Sequence, residues 1–346
     1  MELDLQAQML TFADVEPLDW FQLKTLLWEA LAEFKEDSSG RWQQIASFVN
    51  ARCEDSLPQP DTVYRKAFNT IASAKPEIMS ISTDPSLGFK VWNEILYQCA
   101  QFNFGRPIFM NLGYEEPRAA EPIYLEERDE PYRPFIQLYH RVVSGVDLRG
   151  RDILEVGCGS GGGCSYITRY LSPNSVVGVD LVEDNIGTCS MTHSLAGLRF
   201  IQGDAESLRF SDASFDAVVN IESSGGYHSV ERFLCEAHRV LRPGGHFLFA
   251  DLRPVKEEWG RGRTVAGLRR QLEESGLRII TSGNITLNVL KSVDLLDEGK
   301  QMMLKQSGLE GYDLIHFQEI MLCKGSRNYE KLKSGDLQYW AFTCQK

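Results

Sequence analysis

Ile153-Leu154-Glu155-Val156-Gly157-Cys158-Gly159-Ser160-Gly161-Gly162-Gly163 is the stretch on which the fold turns. A short apolar run enters a turn with glycine at alternate positions, and Tyr166, Ile167 and Tyr170 then recur at helical spacing. Glycine in such a turn takes up dihedrals that other residues avoid and lets a ligand approach the backbone. The helix that follows points N–H groups toward negative charge. Taken alone, the turn also suits nicotinamide or flavin dinucleotides, whose pyrophosphate binds the same geometry.

The flanking sequence supplies what the turn lacks. Val176-Val177-Gly178-Val179-Asp180 reads as a second strand ending in a carboxylate, 19 residues after Gly161. A carboxylate there accepts hydrogen bonds from two ribose hydroxyls. Further strands are expected at Leu198–Ile201, Ala217–Ile221, His246–Asp251 and Arg278–Ser282, with a closing strand in Leu337-Gln-Tyr-Trp-Ala-Phe-Thr. Helical periodicity falls between them, through Leu268 and Leu272 for example. Strands alternating with helices predict a doubly wound α/β sheet with helices on both faces.

Glu155-x-Gly157-x-Gly159-x-Gly161, Asp180, Gly203-Asp204-Ala205, Phe215-Asp216 and Leu241-Arg-Pro-Gly-Gly245 together resemble the ordered motif series of class I S-adenosylmethionine methyltransferases. The resemblance implies a Rossmann-like sheet, S-adenosyl-L-methionine as cofactor and methyl transfer as the reaction. It places the methionine moiety beside Glu155, Gly157, Gly159 and Gly161, the ribose on Asp180 with Leu181 next to it, and adenine on Asp204 and Ala205. Asn220, ending the fourth strand, and Tyr139, in a helix ahead of the sheet, are further expected cofactor contacts. No metal is implied.

A narrower likeness rests on Asn111-Leu-Gly-Tyr114, Ile136-Gln-Leu-Tyr-His-Arg-Val142, Gly162-Gly163, Asn220-Ile-Glu-Ser-Ser224 and Phe249-Ala-Asp-Leu-Arg253. These resemble the phthiotriol and phenolphthiotriol dimycocerosate methyltransferases, O-methyltransferases acting on long lipid alcohols. The implied acceptor is a hydroxyl on a small hydrophobic or lipid-like molecule. That group carries a His-Cys pair where this chain has Gly225-Gly226, so its histidine has no counterpart at position 225.

An alcohol acceptor benefits from a base that removes its proton as the oxygen attacks. His228 and Glu222, both just past the fourth strand, are the candidates. His140 lies beside Tyr139 in the helix that would cover the cofactor. Phe102, Phe104, Phe109 and Tyr114 could line an acceptor pocket, although core packing is the plainer reading, and Met302 and Met303 read as helix interior.

The N-terminal third is different. Trp20, Leu23, Leu27, Leu31 and Phe34 begin a small three-helix unit ending near residue 75, which resembles a SANT/Myb-type module. Residues 76–131 read as linker and lid, with a helix from Val91 to Ala100, and residues 132–346 as the catalytic domain. SANT/Myb modules contact DNA or histone tails, so a protein- or chromatin-associated factor is the alternative reading. Residues 1–75 hold 7 Lys and Arg against 12 Asp and Glu, which favours a protein contact through residues 14–75 over DNA. The whole chain of 346 residues carries a net charge of −12, and a negative surface repels phosphate backbones and anionic lipid head groups. The densest basic run, Arg261, Arg263, Arg269 and Arg270, is flanked by glutamates and reads as a solvated helix face. Eight cysteines without a CxxC pair, no basic-then-apolar leader and no run of about 18 apolar residues predict a reduced, cytoplasmic protein that does not span a membrane.

Overall fold

The computed structural model describes residues 107–116, 123–256, 263–307 and 311–346. The expected three-helix unit, the helix Val91–Ala100, Phe102, Phe104 and Arg261 lie outside these residues.

Seven strands form one sheet: β1 (Asp152–Val156), β2 (Ser175–Asp180), β3 (Leu198–Gln202), β4 (Phe215–Ile221), β5 (Leu241–Pro254), β6 (Arg278–Asn284) and β7 (Leu337–Gln345), in the order β3-β2-β1-β4-β5-β7-β6. The first five run parallel, and β7 lies antiparallel to both β5 and β6. Among the described residues eight α-helices accompany them: α1 (Arg133–Val143), α2 (Gly162–Tyr170), α3 (Glu183–Thr192), α4 (Val230–Val240), α5 (Val265–Glu274), α6 (Thr286–Ser307), α7 (Gly311–Ile320) and α8 (Arg327–Ser334).

The central parallel strands β1, β2, β4 and β5 are apolar on both faces because helices cover both. Ile153 joins the core on one face and Leu154 the core on the other, and the same alternation splits Val176 from Val177 and Leu248 from Phe249. Local chemistry starts the helices. Ser229 caps α4 by accepting from Arg232 N–H, Thr264 caps α5 from Gly267 N–H, and Ser326 caps α8 from Tyr329 N–H.

Phe109, Leu112 and Tyr114 belong to the core on the α1 face, where Phe109 stacks on Phe135 with ring centroids 6.1 Å apart. Core packing therefore occupies these aromatics, as the plainer reading held. Two other expectations need correcting. Met302 is 56% exposed on α6, because the helix turns Leu304 inward instead. Arg263 and Arg269 do not form a solvated stripe: Arg263 donates to the carbonyls of Gly225 and Tyr227, and Arg269 reaches Ser282 Oγ while covering the Trp340 and Phe342 rings.

Candidate active site

The strand order reverses between β1 and β4, and ligands of such sheets bind outside the carboxyl ends of the strands at that point. Gly157, Gly159 and Gly161 follow directly from β1 with φ of 72°, 53° and 79°. All three lie in the left-handed region, which explains the alternate glycines.

Gly162 and Gly163 answer to packing. A Cβ on Gly162 would lie 2.3 Å from the Ile108 carbonyl oxygen, and one on Gly163 would lie 2.0 Å from the Tyr139 ring. The first turn of α2 is thus shaped to accept α1 and the segment before it. Gly163→Ala is expected to cost about 1–3 kcal/mol by overpacking against Tyr139, measurable as a drop in denaturation midpoint. An unchanged midpoint would show that Tyr139 can yield.

Tyr139 does not stand free for a ligand. Its hydroxyl donates to Glu155 Oε1 at 2.6 Å, and burial raises its pKa well above the usual tyrosine value. Glu155 is itself buried, and desolvation lifts its carboxyl to about 7. The other oxygen, Oε2, is buried with no hydrogen-bond partner, as is Oδ1 of Asn220. Two orphaned acceptors at the ends of β1 and β4 suit a ligand that carries donors, such as the ammonium of a methionine moiety.

Asp180 ends β2 facing the bend. Its Oδ2 accepts Gly159 N–H at 2.9 Å, while Oδ1 accepts Val182 N–H and Asn185 Nδ2, each at 3.0 Å. Burial pushes its pKa up, and these donors pull it back. A carboxylate offers about four acceptor positions. Protein donors therefore already occupy most of the Asp180 acceptor positions, with Gly159 N–H among them. Leu181 is half-buried beside it, with its carbonyl held by Gln202 Nε2. Asp204 lies in the loop after β3, where Oδ1 accepts Glu206 N–H, and Ala205 is buried against the second core. The glycine bend, Asp180, Asn220 and Asp204-Ala205 line up along the carboxyl ends of β1, β2, β3 and β4.

The two base candidates are placed differently. Glu222 takes a left-handed φ of 51° immediately after β4. Its Oε1 accepts Leu112 N–H at 2.9 Å and the Tyr339 hydroxyl at 2.8 Å. Desolvation raises its carboxyl to about 8. His228 is exposed, and its backbone N–H donates to Glu206 Oε1. Between them, Ser224–Gly226 forms a single 3-10 turn that directs Tyr227 inward. A side chain at Gly225 would meet nothing within 4 Å, so the glycine there is not a steric requirement. His140 Nδ1 pairs with the Tyr166 hydroxyl at 2.8 Å, and its burial lowers the imidazole pKa.

Sequence reasoning missed three residues. Tyr339 approaches Glu222 from β7, and Ser223 and Tyr227 lie directly over Gly157. Among the described residues no group of His, Cys, Asp and Glu is arranged to hold a metal ion.

Comparison with known proteins follows the geometry. Residues 154–249 match the family model described as a methyltransferase domain. The chain is 42% identical over 241 residues to the phthiotriol/phenolphthiotriol dimycocerosates methyltransferase of Mycobacterium tuberculosis, covering 69% of this chain and 85% of that protein. It is 44% identical over 190 residues to the fatty-acid O-methyltransferase of Mycolicibacterium smegmatis, covering 54% of this chain and 69% of that protein. Among solved structures, the geranyl diphosphate C-methyltransferase of Streptomyces coelicolor A3(2), in complex with S-adenosyl-L-homocysteine, superposes with a TM-score of 0.55 at 14% identity, covering 77% of this chain and 99% of that one. That last likeness speaks to the fold. The bend, the acid that faces it and the identity to curated relatives lead to one assignment: the chain belongs to the S-adenosylmethionine-dependent methyltransferases, in the family of the phthiotriol/phenolphthiotriol dimycocerosates methyltransferases.

Proposed function

We infer that this methyltransferase moves its methyl group onto a hydroxyl of an apolar, lipid-like molecule, with Glu222 taking the acceptor proton. The observation that carries this reading is the state of Glu222. A carboxyl lifted to about 8 by burial, one residue before the Ser223 side chain that lies on Gly157, is a far stronger base than an exposed glutamate. The relatives' names add the acceptor class, since they specify dimycocerosates and a fatty acid.

The bound cofactor supplies an electrophilic methyl on a sulfonium. The chain's own contribution is positioning and proton transfer. Asp180 and the Gly157–Gly161 bend would hold the nucleoside, and the Glu155 and Asn220 oxygens would receive its donors. Leu112 N–H and the Tyr339 hydroxyl both fall on Glu222 Oε1 and fix the rotamer of the base. As the acceptor hydroxyl takes up that methyl group, Glu222 would take its proton.

His228 is the second candidate base, tied through Glu206 to the loop that follows β3. For the cell compartment we propose the cytoplasm, because the cysteines of the described residues are all unpaired. No helix among those residues is long and apolar enough to cross a membrane. A protein contact through residues 14–75 concerns a region outside them.

The test is transfer itself. Purified protein incubated with lipid extract and methyl-labelled S-adenosylmethionine should yield labelled, O-methylated apolar products by mass spectrometry. Label found only on carboxyl groups, on carbon or on protein would overturn the hydroxyl reading.

A further inference from the structure

The loop after β4 places two neutral oxygens on the first glycine of the bend. A Cβ built on Gly157 would fall 1.7 Å from Ser223 Oγ and 2.9 Å from the Tyr227 hydroxyl, so both groups sit against the bare backbone there. They are 2.6 Å from each other. Asn220 Nδ2 donates both to the Tyr227 hydroxyl and to the Val156 carbonyl, each at 2.8 Å, which ties the pair to the strand that feeds the bend. The Tyr227 ring packs edge-on against Phe233 at 4.8 Å. Arg263 holds the loop from outside through the carbonyls of Gly225 and Tyr227.

We propose that Ser223 Oγ and Tyr227 Oη form an oxygen pair that recognises the charged, methylated sulfur of the cofactor and sets the preference for S-adenosylmethionine over its demethylated product, S-adenosylhomocysteine. The proposal rests on the reading of the Gly157 bend as the seat of the methionine moiety. A sulfonium polarises the C–H bonds on its attached carbons, and hydroxyl oxygens accept weak C–H···O bonds from them. The neutral thioether of the product has neither the charge nor the methyl group. The pair thus acts on the one feature that distinguishes substrate from product, whereas Asp180 meets a ribose common to both.

Calorimetry on the full chain separates these roles without any methyl acceptor. Tyr227→Phe, which keeps the ring and its packing on Phe233, should reduce the ratio of S-adenosylmethionine to S-adenosylhomocysteine affinity by about two- to fivefold, mainly by weakening the former. Ser223→Ala should act in the same direction, and it keeps the proposal testable should Tyr227→Phe fail to fold. An unchanged ratio in both variants, or an equal change for both ligands, overturns the proposal. Asp180→Ala serves as the reference. If it weakens both ligands alike while the hydroxyl variants leave the ratio untouched, the bend reading stands and the oxygen pair falls. If Asp180→Ala also leaves both affinities unchanged, the bend reading itself fails.

Discussion

Asp180→Ala is expected to weaken S-adenosylmethionine binding by more than roughly tenfold, the loss of a charge-assisted hydrogen bond worth about 1.5–3 kcal/mol. The structure adds a second reason. Asp180 is the acceptor for Gly159 N–H, so its removal leaves the middle of the bend without its anchor as well as the ribose without its acid. Val182 N–H and Asn185 Nδ2 lose the same partner, and a lower denaturation midpoint should accompany the change in affinity. Titration calorimetry is the direct measurement. Affinity equal to that of the unaltered chain, in a variant that is folded by circular dichroism, would remove the ribose from Asp180.

Glu222→Gln should lower turnover by about 10²–10⁴-fold with cofactor affinity intact, the range expected for losing a general base. Glutamine keeps the size of the side chain and an oxygen able to accept from Leu112 N–H and Tyr339. His228→Ala is the companion variant. Turnover lost in His228→Ala and kept in Glu222→Gln would transfer the base to the histidine. The pH dependence gives a second readout. The base must be ionised, so turnover should rise with pH and level off above about 8. Stability moves the opposite way. With a folded pKa of about 8 against an unfolded value near 4.3, the folded chain holds the extra proton between those limits. The stability that this proton contributes is complete below the unfolded value and is lost as pH climbs through the folded one. Glu222→Gln, which has no charge to bury, should therefore melt higher than the unaltered chain at alkaline pH.

Much of this architecture could be read locally. The strand Asp152–Val156 and the left-handed glycines after it follow from a few adjacent residues, and so does the acid ending β2. Alternating strands and helices made a doubly wound sheet expected, but not its strand order. Features set by distant partners were not legible. Tyr339 meets Glu222 across 117 positions of sequence because β7 turns back between β5 and β6. The reason for Gly163 is the Tyr139 ring, contributed by a helix that precedes the sheet, and the reason for Gly162 is the Ile108 carbonyl and the Phe109 ring. Helical period finds α6 but not which side faces the core, hence the exposed Met302. Ser223 and Tyr227 are unremarkable letters until the short turn between them brings both onto the bend.

The insertion of β7 carries a cost during biosynthesis. β5 ends at Pro254, but the strand that pairs with its outer edge starts only at Leu337. While the ribosome makes the intervening residues, the outer edge of β5 from His246 to Pro254 presents unpaired amides and carbonyls to solvent. Such edges template misassociation between nascent chains. Soluble yield on overexpression should therefore respond to slower translation or added chaperone more than to changes made in the finished core.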